Sequence, residues 1–233
     1  LGNTPKVSFD KTRFFRWRNY RDYGTVVAGD LFVHAFSTLN YIISSNGPSR
    51  AISTGGLRYW KDGRDVPDVT LTFYDYPETE THAAFNASFR VNFIAGSGGG
   101  GGFRLVGTEG VMEVGSNSVK LVRSKLGMTP GNYSMIAYTE ETQEKIKKEY
   151  ASKNLENRES AMKTGETLWE APRDYKGGHY DHFYNFFQAI RGKNTIIQDP
   201  NFGLRAAGAA LLANESYYKN KPVNWDPVAM KLT

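Results

Sequence analysis

The most continuous apolar stretch of the chain lies near its N-terminal end. Polar and aromatic residues lead up to it from Arg16 to Gly24, and from Leu31 to Ile43 most positions are apolar. A run of about 15 residues is long enough for a buried helix, and we interpret it as one. Asn46-Gly47-Pro48 should end this helix, because glycine and proline break helical structure.

Alternating polar and apolar positions predict a set of strands. The alternation is clearest from Ala83 to Phe93, where one face should be buried and the other solvated. Six further segments, several of them separated by glycine-rich turns, are also predicted strands: Arg13–Arg18, Arg50–Tyr59, Val69–Tyr76, Phe103–Val106, Val111–Val114 and Val119–Val122. Links of hairpin length between such strands predict a mainly antiparallel sheet of about six strands.

The second half of the chain is mainly helical. Residues 124–178 are polar, with a helix near Glu140–Asn154 whose apolar stripe is thin, so we interpret them as a polar helical insertion. Two helices follow, from His179 to Arg191 and from Asn201 to Tyr218, and the second is rich in alanine and glycine. The pattern therefore predicts one α+β domain over residues 1–233.

Composition excludes several classes of function. The chain has 233 residues, and its 29 Lys and Arg against 24 Asp and Glu leave 29 − 24 = +5 charges, interleaved rather than in a stripe, so we expect no nucleic-acid partner. It contains no cysteine, which excludes disulfides and thiolate chemistry. No segment reaches about 18 consecutive apolar residues, so no membrane span is predicted. The start lacks a signal peptide, and a soluble protein of either the cytoplasm or the periplasm fits.

Asp30 and His34 are the candidate catalytic residues. On a helix their spacing of four places both side chains on one face, where the carboxylate can orient the imidazole as a general acid or base. Asp30 should also lie in the first helical turn, where the helix dipole favours its ionised form. The alternative is that His34 is a core histidine with one satisfied hydrogen bond.

Three other groups of residues carry weaker signals. His179 and His182 share a helix face but Asp181 points elsewhere, so no metal site is expected. The glycine run Gly98–Gly102 is followed by a strand and by no Gly-Lys-Ser/Thr, which argues against a phosphate loop. A basic cluster could serve an anionic substrate, a phosphate-bearing cofactor or a partner subunit, or could be a solvated strand edge. It comprises Lys11, Arg13, Arg16, Arg18 and Arg21.

Five segments in this order resemble the C-terminal α/β domain of the glucose-fructose oxidoreductase / inositol dehydrogenase (Gfo/Idh/MocA) family of bacterial and related sugar oxidoreductases. The resemblance covers nearly the whole chain. The segments are Ala28-Gly29-Asp30-Leu31-Phe32-Val33-His34, residues 60–68 (Trp-Lys-Asp-Gly-Arg-Asp-Val-Pro-Asp), Val106-Gly107-Thr108-Glu109-Gly110, residues 182–191 (His-Phe-Tyr-Asn-Phe-Phe-Gln-Ala-Ile-Arg) and Asn224-Trp225-Asp226-Pro227.

The resemblance implies that Asp30 and His34 match the family's Asp-x-x-x-His pair, which handles the proton lost by a sugar hydroxyl. It also implies an open sheet with helices packed on one face and a homo-oligomer formed through the other. Family members bind NAD or NADP on an N-terminal Rossmann domain, with a Gly-x-Gly-x-x-Gly turn and a Glu-Lys-Pro segment. Both motifs are absent here, so cofactor-binding residues are not identified and no cofactor is expected on this chain alone.

The resemblance therefore implies the substrate-binding and oligomerisation domain of an NAD(P)-dependent oxidoreductase acting on CH–OH groups of a sugar or polyol, inactive without its Rossmann domain. Arg18, Tyr23, Trp60 and Lys61 are the candidate substrate contacts, with structural roles as the alternative. Two other functions stay open: a relative that uses NAD transiently during glycoside cleavage, and a non-catalytic carbohydrate-binding or assembly module.

Overall fold

The chain divides into two compact units in a computed structural model, which describes residues 4–94, 96, 100–123, 135–153 and 165–233. The first unit contains residues 1–99 and 179–233, and the second contains residues 100–178. The second unit is thus inserted into the first, and it begins upstream of the polar segment 124–178. The expectation that the chain behaves as a single domain stays a prediction.

Five helices and nine strands lie in the described residues. The helices are α1 (Lys11–Phe15), α2 (Val26–Ile43), α3 (Glu140–Lys153), α4 (Gly178–Ile190) and α5 (Pro200–Lys219), and a short 3₁₀ turn covers Trp17–Asn19. The strands are β1 (Arg50–Gly56), β2 (Val69–Tyr76), β3 (Phe85–Asn92), β4 (Phe103–Gly107), β5 (Gly110–Val114), β6 (Ser118–Arg123), β7 (Gly165–Glu170), β8 (Val223–Asp226) and β9 (Lys231–Leu232).

The first unit is built on a five-stranded antiparallel sheet in the order β3-β2-β1-β8-β9. Along β2 the residues Thr70, Thr72, Tyr74 and Tyr76 are buried, whereas the alternate residues Leu71 and Phe73 are exposed. One face of the sheet is therefore covered and the other is open. The covered face carries α2 and α5, which pack on each other as well as on the sheet.

An aromatic cluster joins α2 to the covered face. The ring of Phe36 lies 4.8 Å from that of Tyr74 and 4.5 Å from that of Phe89, and Phe32 lies 5.4 Å from Phe89, measured between centroids. Such tilted and edge-to-face pairs add about 0.5–1.5 kcal/mol each beyond the burial of their surface. By length and composition α2 is a candidate membrane span, alone in the described part of the chain. The core helix of a globular domain passes the same test, and α2 packs on the sheet and on α5.

Small residues let α5 approach its neighbours closely. Its buried residues are Ala206, Gly208, Ala209, Ala210, Leu212, Ala213 and Ser216. A Cβ atom on Gly208 would lie 2.8 Å from the Trp225 indole of β8, and one on Gly29 of α2 would lie 3.2 Å from Leu211 of α5. The Ser216 hydroxyl donates to the carbonyl of Lys221 at 2.7 Å and accepts from the Ser53 N–H of β1 at 2.9 Å.

The second unit holds a four-stranded antiparallel sheet in the order β4-β5-β6-β7, together with α3. Strand β7 was missed by sequence reasoning because every side chain in it is exposed, so no apolar alternation marks it. Residues 124–134 and 154–164 of the predicted polar insertion lie outside the described residues. So do Gly98 and Gly99 of the glycine run.

Two sequence-based predictions about the fold were wrong. Residues Arg13–Arg18 are not a strand but part of α1 and the 3₁₀ turn: the Asp10 carboxylate accepts from the Arg13 N–H at 2.6 Å and caps α1. The alternating basic and aromatic side chains there are all solvent-accessible, so the alternation marks no buried face. The single sheet of about six strands is instead two sheets, because β4 to β7 pair with one another within the second unit, while β8 and β9 pair onto β1 in the first.

We expect Gly208→Ala to lower the free energy of unfolding by about 1–3 kcal/mol, because the new methyl group overlaps the Trp225 indole. Gly203→Ala in the same helix is the matched control, since its Cβ meets nothing within 4 Å. It should raise the free energy of unfolding by about 0.5–1 kcal/mol, as expected of glycine replaced by alanine in a helix. Urea denaturation of both variants measures the difference, and equal effects would contradict the close approach.

Candidate functional site

Helix α2 presents Asp30 and His34 on its solvent-exposed side, one helical turn apart. The helix begins at Val26, so Asp30 lies in its second turn and not, as predicted, in the first. The dipole effect at a helix terminus falls off beyond the first turn and contributes little here. Because His34 is exposed, the alternative of a core histidine does not describe it.

The Asp30 carboxylate is directed at Arg18. Its Oδ2 atom lies 3.4 Å from the Arg18 Nε atom, and the two side chains are 45% and 61% exposed. Both Asp30 and His34 are described, and no hydrogen bond joins them. An exposed ion pair of this kind contributes about 0–1 kcal/mol to stability. The structure thus brings Arg18 and Asp30 together, while the role of His34 as an acid or base stays a prediction.

Aromatic contacts position residues 13–23, the segment that carries Arg18. The Arg18 guanidinium carbon lies 4.2 Å from the centroid of the Trp17 ring. The Tyr23 hydroxyl accepts a hydrogen bond from Arg13 at 3.4 Å, and the Arg13 guanidinium lies 4.7 Å from the Tyr20 ring. Tyr23, a candidate substrate contact, is therefore half-buried and hydrogen-bonded to Arg13 of α1.

A loop between β1 and β2, residues 57–68, lies against this segment. The Asp65 carboxylate accepts from the Arg21 N–H at 2.8 Å, and the Asp65 N–H donates to the carbonyl of Asn19 at 3.3 Å. The stretch around Arg18 and the loop that carries Trp60 and Lys61 are therefore neighbours. Sequence reasoning predicted these residues as contacts for one substrate, without predicting how they come together.

The buried Asp68 carboxylate holds the start of this loop. Its Oδ1 atom accepts from the Arg58 N–H at 2.8 Å, and its Oδ2 atom accepts from the N–H groups of Tyr59 and Trp60 at 2.9 Å each. Burial by itself raises the pKa of Asp68, but the three backbone donors lower it, and the net direction is downward. Sequence reasoning missed this role. The available signal was an acidic residue placed after Pro67, directly before a strand.

Trp60 and Lys61 have different surroundings. Trp60 is 40% exposed and its ring lies 5.0 Å from the Arg64 guanidinium. It lines a cleft of about 390 Å³ together with residues of α1 and the 57–68 loop. The Lys61 Nζ atom donates to the carbonyl of Leu57 at 3.2 Å, an exposed contact within the loop. Asp30 and His34 are not among the residues that line this cleft.

The histidines of α4 are exposed, as is Asp181 between them. Within the described ranges, no group of three His, Cys, Asp or Glu residues is placed to hold a metal ion. The expectation of no metal site at His179, Asp181 and His182 stays a prediction.

No protein-family model matches the chain, and no curated protein matches it. Solved structures with the same fold include levoglucosan dehydrogenase in complex with NADH, at a TM-score of 0.59 and 16% identity, covering 95% of this chain and 54% of that one. An oxidoreductase from Agrobacterium radiobacter in complex with NAD⁺, L-tartaric acid and magnesium matches at a TM-score of 0.55 and 12% identity. That match covers 96% of this chain and 55% of the oxidoreductase. An NAD-binding protein from Listeria innocua matches at a TM-score of 0.53 and 15% identity, and the match covers 94% of this chain and 55% of that protein.

At these identities the likeness establishes the fold. The chain therefore has the fold of part of an oxidoreductase, and it spans about half the length of the structures it matches. Among them are chains with NAD⁺ or NADH bound.

We expect Asp68→Asn to destabilise the protein by about 3 kcal/mol, because an amide cannot accept three hydrogen bonds from donors arranged around a carboxylate, and its own N–H₂ group faces one of them. Asp65→Asn is the matched control, since the exposed Asp65 carboxylate accepts one backbone bond. Its cost should be about 1 kcal/mol or less. Thermal unfolding of both variants tests this, and equal losses would contradict the anchoring role of Asp68.

The same carboxylate predicts a pH dependence. The pKa of Asp68 is lower in the folded protein than the value of about 3.9 in an unfolded chain, so the unfolded state binds more protons as the pH falls. The stabilisation is therefore complete above about pH 5 and is lost as the pH falls through about 4 and then through the lower folded-state pKa. Melting temperatures measured from pH 7 to pH 3 should fall more steeply for the wild type than for Asp68→Asn. Parallel curves would refute the depressed pKa.

Proposed function

We propose that this chain is the substrate-binding part of an NAD(P)-dependent oxidoreductase of the Gfo/Idh/MocA type, acting on a CH–OH group of a sugar or polyol. The observation that supports this most is coverage: more than nine-tenths of this chain matches about half of levoglucosan dehydrogenase and of an NAD⁺-bound oxidoreductase. The other half of such an enzyme would be a dinucleotide-binding domain. Levoglucosan and L-tartaric acid, named for those two proteins, both carry hydroxyl groups on carbon.

The described residues do not fit a dinucleotide. Both sheets are antiparallel, whereas a Rossmann site needs a strand, a glycine-rich turn and a helix within a parallel βαβ unit. NAD(P) would therefore be held by the other domain. What this chain contributes is substrate binding and the movement of a proton.

His34 is the group we assign to that proton. Its imidazole is exposed on α2, and an ordinary histidine changes its charge near neutral pH, so it can accept a proton from a hydroxyl group or return it. Asp30 lies one turn earlier on the same exposed side of α2, and its carboxylate is paired with Arg18.

We expect His34→Ala to lower kcat by about 10²-fold or more in the protein that includes the dinucleotide-binding domain, with affinity for NAD(P) almost unchanged. His182→Ala replaces an exposed histidine of α4 and is the matched control, which should keep kcat within about twofold. Steady-state kinetics on a panel of sugars and polyols, with cofactor binding followed by fluorescence, gives both quantities. An unchanged kcat in His34→Ala would remove this residue from the mechanism.

We also propose that the open face of the five-stranded sheet mediates homo-oligomerisation. Ile52 and Phe73 are direct cross-strand partners on that face and are 47% and 56% exposed, and Leu71 beside them is 40% exposed. The Arg50–Asp75 ion pair and Arg90 border this apolar patch. Apolar residues adjacent to one another on a flat face and rimmed by charge are typical of an interface.

Phe73→Glu should convert an oligomer into a monomer, because it introduces a charge at the centre of the patch. Phe14→Glu, at an exposed aromatic residue of α1, is the control and should leave the mass unchanged. Light scattering coupled to size-exclusion chromatography measures the mass of each. A wild-type chain that stays monomeric at high concentration would contradict the proposed interface.

A further inference from the structure

We propose that the cleft between α1 and the 57–68 loop binds an anionic sugar, a sugar derivative that carries a carboxylate or a phosphate group. The cleft is open to solvent and has a volume of about 390 Å³. All the residues that line it belong to the first compact unit. They are Lys11, Thr12, Phe15, Arg16, Trp60, Asp62 and Arg64.

The charges that line the cleft leave two cations without partners. Arg64 and Asp62 form a bidentate pair with N–O distances of 2.7 Å, and the Arg64 side chain is only 9% exposed. The hydrogen bonds from Arg64 lower the pKa of Asp62 to about 2, so this pair stays ionised and internally neutral at physiological pH. Within the described chain, Lys11 and Arg16 form no ion pair. The single acidic residue that lines the cleft is thus already paired, and the two remaining cations favour an anion.

The walls of the cleft suit a ring. Trp60 presents an indole that is 40% exposed, and Phe15 presents a phenyl ring that is 69% exposed. The Trp60 backbone N–H donates to the buried Asp68, the Trp60 ring is edge-on to Tyr59 at 5.3 Å, and the Arg64 guanidinium lies 5.0 Å from the indole. A pre-positioned aromatic surface beside a few polar groups is typical of a site for a small ligand that is part apolar and part polar.

The unpaired cations and the aromatic walls of the cleft together indicate what kind of ligand it binds. The C–H face of a sugar ring can pack on the indole, and the Thr12 hydroxyl can pair with a sugar hydroxyl. A carboxylate or phosphate group on the ring would then face Lys11 and Arg16, and a guanidinium can bind either anion in a bidentate manner. A neutral sugar would make the ring contacts without the charge contacts, so affinity should depend on the anion.

This inference builds on the proposed function only in the choice of a sugar as the ligand. Binding to the isolated chain requires neither NAD(P) nor catalysis. A failure here would therefore leave the assignment of His34 intact, and an inactive His34 would leave the cleft intact.

Titration calorimetry on the full chain, with D-glucuronate and D-glucose 6-phosphate as probes, tests the proposal. We expect at least one of the two to bind with a Kd below about 1 mM at low salt, and the tighter probe identifies carboxylate or phosphate as the preferred group. D-glucose should bind at least about tenfold more weakly, and inorganic phosphate alone should also be weaker, because each makes only half of the contacts. The NMR signal of the Trp60 indole N–H should shift with the bound probe.

Substitutions then locate the site. Lys11→Gln and Arg16→Gln should each weaken binding about threefold to tenfold and reduce its dependence on salt. Lys6→Gln removes an exposed cation from the same segment without touching the cleft, and should change the Kd by less than about twofold. Trp60→Ala should abolish binding of the sugar derivatives, and circular dichroism of this variant checks that the fold is kept.

Three results would overturn the proposal. The first is that neither anionic sugar binds with a Kd below about 1 mM at low salt. The second is that glucose or inorganic phosphate binds as tightly as the anionic sugars. The third is that the Lys11 and Arg16 variants bind as the wild type does, which would place any binding elsewhere on the chain.

Discussion

The first unit depends on how closely α5 can approach its neighbours. Its small buried face lets β1, β8 and α2 come within contact distance, and a single added methyl group at Gly208 would strike the Trp225 indole. Well-packed interiors tolerate added atoms poorly, so this approach fixes the position of α2 on the sheet. The side of α2 that carries Asp30 and His34 is exposed because the opposite side is committed to this core.

The surface around α2 is organised by backbone hydrogen bonds to carboxylates. Asp68 holds the start of the 57–68 loop, and Asp65 ties the same loop to the segment that contains Arg18. Asp68 accepts from three backbone N–H groups and Asp65 from one, all outside helices and strand ladders, which gives irregular segments a defined geometry. Trp60 and Arg18, which lie far apart in sequence, are thereby placed on neighbouring segments.

Asp30 and Asp62 each form an ion pair with an arginine, but the groups around the two pairs differ. The Asp30 carboxylate is paired with Arg18, and the imidazole of His34, one turn later, is exposed. The Asp62 carboxylate is paired with Arg64, so Lys11 and Arg16 remain as unpaired positive charges beside the aromatic rings of the cleft. We propose the first arrangement for transfer of a hydroxyl proton and the second for binding the anionic group of a ligand.

Sequence patterns alone predicted the long apolar helix, strand β2 to the residue and an α+β chain, because helical runs and alternating strands leave a periodic record of burial. They also placed Asp30 and His34 on one helix face, since that follows from a spacing of four. Only the tertiary structure decided that Asp30 faces Arg18, that α1 is a helix and that the strands form two sheets. Long-range pairing and exposed segments such as β7 have no local periodicity, so contacts between distant residues, and not neighbouring ones, determine them.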